Sequence, residues 1–184
     1  RHPDSLFMVH TLATENHGGV DMASLREFYG ITPEQMRFPD VWEYISGMIK
    51  PETLNLWYNA ADVFLLPSMG EGFGIPVIEA QAAGCPVIVS NFSAQSELCG
   101  AGWKIPVDEM DLVYTAQDAE QCLVNPREIV RHLELAYGVR GAQLLRQDAR
   151  EFALDYDAKR VWGAYMHPAL QQMQGIIARE KAAL

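Results

Sequence analysis

Two short apolar runs, Asp62–Pro67 and Pro86–Ser90, bracket a glycine-rich turn and a stretch with room for only two helical turns. Nearly continuous apolar runs of this length mark strands covered on both faces, as in parallel sheets. Pro67 ends the first run, and Gly70, Gly72 and Gly74 allow a tight turn and close approach of backbone to a ligand. Pro76 suits the first helical position, where its missing N–H costs nothing. Gly84, followed by Cys85 and Pro86, is a helix stop. The helix is therefore expected over Pro76–Ala83, and strand, helix and strand form a parallel βαβ unit.

Ligands of such sheets bind beyond the carboxyl ends of the strands, where this turn lies. Free N–H groups at the helix start, at Gly74 and Ile75 above all, can hold a phosphate. Glu79, read as lying in the first turn, leans towards the helix N-terminus and can accept hydrogen bonds from a ribose diol. Glu71, eight positions earlier, sits in the loop and can bind hydroxyls of a sugar. A lone glutamate at either place would need no ligand, since a carboxylate near a helix N-terminus is favourable by itself. The glycines, the proline stop and the second glutamate together favour nucleotide-sugar chemistry.

The string from Glu71 through Gly72, Phe73, Gly74, Ile75, Pro76 and Glu79 to Gly84, Pro86 and Ile88 resembles the signature of the retaining glycosyltransferases of family four, which have the GT-B fold. Tyr58–Ser68 upstream and Ser90–Leu98 downstream look like the same family, and the likeness extends from Leu6 to Trp103 and loosely beyond. It implies a Rossmann-like, three-layer αβα domain with a mostly parallel sheet, the C-terminal half of a GT-B enzyme. It implies that Glu79 holds the ribose and Glu71 the donor sugar, and that the amides of Gly72, Phe73, Gly74 and Ile75 contact sugar and diphosphate. It implies no metal and no cofactor beyond the nucleoside diphosphate sugar itself.

The chain also departs from that family. The family's donor half opens with a strand, a glycine-rich turn bearing Arg and a helix bearing Lys, both cations binding diphosphate. Here Leu6–His10 resembles the second strand, so the first strand and its cations, like the N-terminal acceptor domain, are expected to be missing. Arg37, Lys50 and Lys104 match neither cation. Residues 1–184 are thus expected to be one nucleotide-sugar-binding domain, a fragment. Within it, 157–184 would form the C-terminal helix that in the family crosses to the partner domain. Such a piece alone is expected not to transfer sugar, and to self-associate through its incomplete sheet or be of low stability.

A chain of 184 residues is one domain's worth. Its formal net charge of −10 argues against nucleic acid or an anionic membrane as the main partner. Local N–H groups must then overcome the field of the whole chain to hold an anionic donor. Cys85, Cys99 and Cys122 have no metal-ligand spacing and read as reduced thiols in a cytoplasmic setting. Contact of the full-length protein with a membrane surface would depend on the missing domain. No signal peptide and no spanning segment is visible.

Elsewhere, a polar, mobile loop is expected at Thr14–Gly19, with His17 solvated. Asp21–Tyr29 reads as a helix capped by Asp21 and stopped by Gly30. The next strand is either Met36–Phe38 or Trp42–Ser46, the second preferred for its length. A helix follows from Lys50 to Ala60, with Leu54, Trp57 and Tyr58 on one face as core. Gly102–Val107 is the last expected strand, and Asp108–Asn125 reads as acidic and irregular. Helices are expected over Pro126–Tyr137, with Ile129, Leu133 and Ala136 inward, over Ala142–Tyr156, and over Asp157–Met173. His10 reads as a polar strand-end residue, and His132 and His167 as surface or packing residues.

Two other functions compete. A dinucleotide-binding oxidoreductase needs G-x-G-x-x-G after its first strand and an acid about twenty residues on. Gly70, Gly72 and Gly74 have the wrong spacing, and the next strand ends Val89-Ser90-Asn91 without an acid. An epimerase of similar fold, or a domain that binds nucleotide sugars without transfer, is not separated by these residues.

Overall fold

The computed structural model describes residues 2–14, 19–116 and 118–182. His17 and the centre of the Thr14–Gly19 loop lie outside the described residues. The chain divides into two compact units, Arg1–Leu54 and Asn55–Leu184.

In the first unit, β1 (Phe7–Met8) pairs in parallel with β2 (Met36–Arg37). Between them α1 (Met22–Phe28) starts at Asp21, whose Oδ1 accepts the Ser24 N–H at 2.8 Å, as expected of an N-cap. Gly30 follows the helix at φ 64°, the left-handed stop read from the sequence. The preferred strand at Trp42–Ser46 is instead a helix, α2 (Val41–Ile45), and the strand is Met36–Arg37. Asp40 decides this: its Oδ1 accepts the N–H groups of Trp42 and Glu43 at 2.9 and 3.0 Å, which nucleates a helical turn from an otherwise ambiguous apolar string. His10 packs edge-on against the Tyr44 ring, 5.3 Å between centroids.

The helix α3 (Pro51–Ala60) leads into the second unit. There β3 (Phe64–Leu66), α4 (Ile75–Ala82) and β4 (Val87–Ser90) form the expected βαβ unit. After α5 (Ser93–Glu97), β5 (Gly102–Ile105) completes a parallel sheet of order β3-β4-β5. Phe64 pairs with Val87 and Val87 with Gly102. Strand β4 is buried along its whole length, as its uninterrupted apolar run requires.

The alternation of strand side chains separates two cores. Val87 and Val89 pack with Val77 and Ala80 of α4, Cys85 and Leu98, joined by Phe64 and Leu66. Ile88 faces the other way, with Ile105 and Ala136, joined by Val63, Leu65 and Ile129. Ala136 and Ile129 belong to α6 (Pro126–Gly138), so helices cover both faces of the sheet and the architecture is α/β in three layers. The inward face of α6 is Ile129, His132 and Ala136. Leu133, expected to face inward, is more than one-third exposed, and His132, at 5% exposure, takes the buried place instead. Its Nδ1 lies 2.7 Å from the Glu128 carbonyl.

The acidic segment is not irregular. Asp108 and Asp111 form a reciprocal capping box over a single 3₁₀ turn, and β6 (Leu112–Tyr114) pairs antiparallel with β7 (Glu120–Cys122). Next comes α7 (Gln143–Ala153), which lies against α4. Arg146 of α7 donates to the carbonyls of Asn59 and Ala61, both at 2.9 Å, and so ties off the end of α3. The last expected helix is an unbroken helical run that changes pitch: α8 (Ala158–Val161), a π-helical stretch over Trp162–Met166, and α9 (His167–Ala182). Trp162, Tyr165 and Leu170 on it are exposed. Among the described residues no helix is long and apolar enough to cross a membrane.

Candidate functional site

The loop from Pro67 to Gly74 joins β3 to α4 at the carboxyl end of the sheet, where such sheets bind ligands. It is fastened from beneath by side chains distant in sequence. The Ser68 carbonyl accepts Ser90 Oγ at 2.6 Å and Gln95 Nε2 at 2.9 Å. Gln95 Nε2 also donates to Ser90 Oγ, and Gln95 is fully buried. The Cys122 N–H donates to the Met69 carbonyl at 2.8 Å, so the end of β7 holds the loop from a third side. Further along, the Glu71 N–H donates to Ser93 Oγ at 2.9 Å.

Gly74 is the N-cap of α4, at φ 100° and ψ 51°. Its surroundings leave space: a Cβ there would sit 3.6 Å from Leu98 Cδ1 and from Val77 Cγ2. Backbone conformation, not crowding, therefore demands glycine. The helix begins at Ile75, with Pro76 second rather than first. Glu79 is accordingly the fifth helical residue, one turn in, and not in the first turn as the sequence suggested. Side chains of a helix lean back towards its N-terminus, so the carboxylate still faces the end where the loop amides lie.

Among the described residues, the N–H groups of Gly72, Phe73, Gly74 and Ile75 have no intramolecular acceptor. Four consecutive donors at a helix start have the chemistry to hold an anion, which the helix dipole also favours. Gly72, Phe73 and Ile75 are exposed, and Glu71 is half-buried. The Phe73 ring lies edge-on to Tyr156, 6.2 Å between centroids, which anchors the outer part of the loop. Among the described residues no ammonium or guanidinium group pairs with Glu71 or Glu79. The site thus combines fixed amide donors with two carboxylates. Such a set can hold an anionic group together with several hydroxyls.

Tyr58 belongs to this site, although helical spacing read it as core. Its ring does pack there, edge-on to Phe64 at 5.5 Å. Its hydroxyl, however, donates to Glu79 Oε2 at 3.4 Å. Burial, then the neighbouring Glu79 carboxylate, pushes the Tyr58 phenol up to about 12, so it stays a donor at any ordinary pH. Cys85 lies in the core beneath, and its thiol is pushed up by burial to about 12. Cys99 is likewise raised by burial to about 11, and all three cysteines are free thiols. Neither of these two raised thiols is a reactive nucleophile in these surroundings.

The positions that the sequence singled out, Glu71, Gly72, Phe73, Gly74, Ile75 and Glu79, stand together on one loop and the first turns of one helix. It missed Tyr58, Ser90, Ser93, Gln95 and Cys122. Their partners lie 21 to 54 positions away, beyond any local pattern.

Comparison with known proteins gives a family and several relatives. The family described as "Glycosyl transferases group 1" matches residues 37–130, about half of the chain. The lipopolysaccharide core biosynthesis mannosyltransferase LpsB of Rhizobium meliloti (strain 1021) is 29% identical over 109 residues, 59% of this chain and 30% of that protein. The O-antigen chain mannosyltransferase B of Escherichia coli is 37% identical over 73 residues, 39% of this chain and 19% of the relative. A serotype-specific mannosyltransferase WbdA of Escherichia coli is 26% identical over 157 residues, 85% of this chain and 16% of the relative. The chain thus spans less than a third of the length of these relatives.

Proposed function

The chain belongs to the group 1 glycosyltransferases, and from that premise we propose that its second unit binds the nucleoside diphosphate sugar donor of a retaining glycosyltransferase. The observation that carries this reading is the row of unbonded amides at Gly72, Phe73, Gly74 and Ile75, with Glu71 in the same loop and Glu79 one turn along the helix. The amides take the diphosphate and the edge of the sugar. Glu79, steadied by Tyr58, accepts the ribose hydroxyls. Glu71 accepts hydroxyls of the sugar to be transferred.

During transfer the bond from the anomeric carbon to the diphosphate oxygen breaks, and negative charge grows on that oxygen. Fixed amides aimed at the diphosphate stabilise this charge without reorganising, a major source of rate. No metal is needed on this reading. The acceptor, and the remaining charge on the diphosphate, fall to parts of the parent protein outside this chain. All three relatives are named as mannosyltransferases, so a mannosyl donor is the first to test.

The test is ligand-observed NMR of this chain with UDP, GDP, ADP and NADH, beside Glu79→Ala. One nucleoside diphosphate is expected to bind, and Glu79→Ala to weaken it about tenfold or more, the loss of hydrogen bonds to a charged group. Failure of all three diphosphates to bind, or equal binding by Glu79→Ala, would contradict the proposal. Preferential binding of NADH would favour a dinucleotide site instead.

A further inference from the structure

Ser93 and Asp118 are the two residues other than glycine with a left-handed backbone among the described residues. Ser93 stands at φ 52°, at the start of α5. Its Cβ is strained there, and glycine would adopt the same backbone freely. A side chain kept in such a place is expected to do something, and the Ser93 hydroxyl does: Oγ accepts the Glu71 N–H at 2.9 Å.

The position of that bond matters. Glu71 lies between Gly70 and Gly72, the most pliant part of the loop. Ser90, Gln95 and Cys122 fasten the loop at Ser68 and Met69, before the glycines. After them, Gly74 is fixed by its place at the head of α4. At Glu71 itself the described tether is Ser93, which holds the backbone N–H; no described contact holds the carboxylate directly, so the fixed backbone sets the point from which it reaches. Ser93 also presents this oxygen from a rigid base. Ser96 Oγ donates to the Ser93 carbonyl at 2.9 Å, and Gln95 two residues on is fully buried.

We propose that Ser93 is a positioning residue for the donor sugar: its strained backbone holds a hydroxyl that pins the Glu71 backbone, and so the point from which the Glu71 carboxylate reaches sugar hydroxyls. This deepens the donor-site reading and rests on it. The role is confined to the sugar end of the ligand, because the ribose carboxylate, Glu79, is on the helix and is steadied separately by Tyr58.

The experiment compares Ser93→Gly, Ser93→Ala and Glu71→Gln for binding of GDP against GDP-mannose and of UDP against UDP-glucose. Ser93→Gly removes the hydroxyl and the strain together, so it is expected to unfold at the same temperature as the parent or higher. It is expected to bind the bare diphosphate as the parent does and the matching sugar nucleotide about fivefold more weakly, the effect of one lost hydrogen bond. Glu71→Gln should show the same selective loss, and adding Ser93→Gly to it should cost little more. Unchanged sugar-nucleotide binding by Ser93→Gly, or an equal loss for the bare diphosphate, would overturn the role assigned to Ser93. Absence of diphosphate binding by the parent chain would instead overturn the donor-site reading, and this inference with it.

Discussion

Gly102→Ala is expected to abolish cooperative unfolding of the second unit, or to lower its stability by about 4 kcal/mol or more. Gly102 pairs with Val87 across the β4–β5 ladder at φ +135°. A Cβ there would lie 1.9 Å from the Val87 carbonyl oxygen and 2.6 Å from its amide nitrogen. Both obstacles are backbone, so no side-chain rotation relieves the clash. The two strands must part, yet β4 is the central strand and fully buried, and the Val87 N–H donates to the Ala101 carbonyl at 3.0 Å in the same ladder. A domain of this size is stable by only about 5–15 kcal/mol in total. Urea denaturation followed by circular dichroism measures the effect. A loss under about 1 kcal/mol would mean that the ladder can shift at little cost, and would contradict the tight register.

Gln81→Leu is expected to cost about 2–4 kcal/mol, although leucine matches the volume and adds apolar surface. Gln81 is fully buried in α4, and both ends of its amide are used. Nε2 donates to the Leu98 carbonyl at 2.7 Å and to the Val77 carbonyl at 3.0 Å. Oε1 accepts the N–H groups of Gly100 and Ala101 at 2.9 and 3.0 Å. The side chain therefore does the work of a strand edge, satisfying the turn that leads into β5. Leucine leaves the Ala101 N–H buried with no acceptor, whereas Gly100 keeps a longer bond to the Leu98 carbonyl at 3.2 Å. The uncompensated donor is the main cost. Equilibrium denaturation gives its size, and faster hydrogen exchange at Ala101 gives its location. An unchanged midpoint would show that the turn finds other partners.

The βαβ unit was legible because each piece carried a local signal: two runs of buried-strand length, a proline at the helix start and glycines at both ends. The cap at Asp21 was legible for the same reason. The strand at Met36–Arg37 was passed over because Trp42–Ser46 offered a longer apolar string. The Asp40 carboxylate, reaching two N–H groups, outweighed that preference and wound it into α2. The β6–β7 hairpin was not legible, since its charged segment lacks the alternation and the Asn-Gly or Asp-Gly turn that mark a hairpin. Within the site, glycines and glutamates announce themselves by spacing, whereas the tethers do not. Gln81 carries no local signal, and its role appears only once Leu98–Ala101 folds back over α4. Tyr58 obeyed the helical pattern of a core residue, and its ring is one. Periodicity says nothing of where a phenolic oxygen ends.

The central claim is that the amides at the head of α4 hold the diphosphate of a nucleotide-sugar donor. The most direct test is a ¹⁵N–¹H correlation spectrum of this chain titrated with the nucleoside diphosphate that binds best. The account predicts the largest shifts at the amides of Gly72, Phe73, Gly74 and Ile75, with smaller ones at Glu79 and Glu71. Saturable shifts confined to other parts of the chain, with these four amides unmoved, would contradict it.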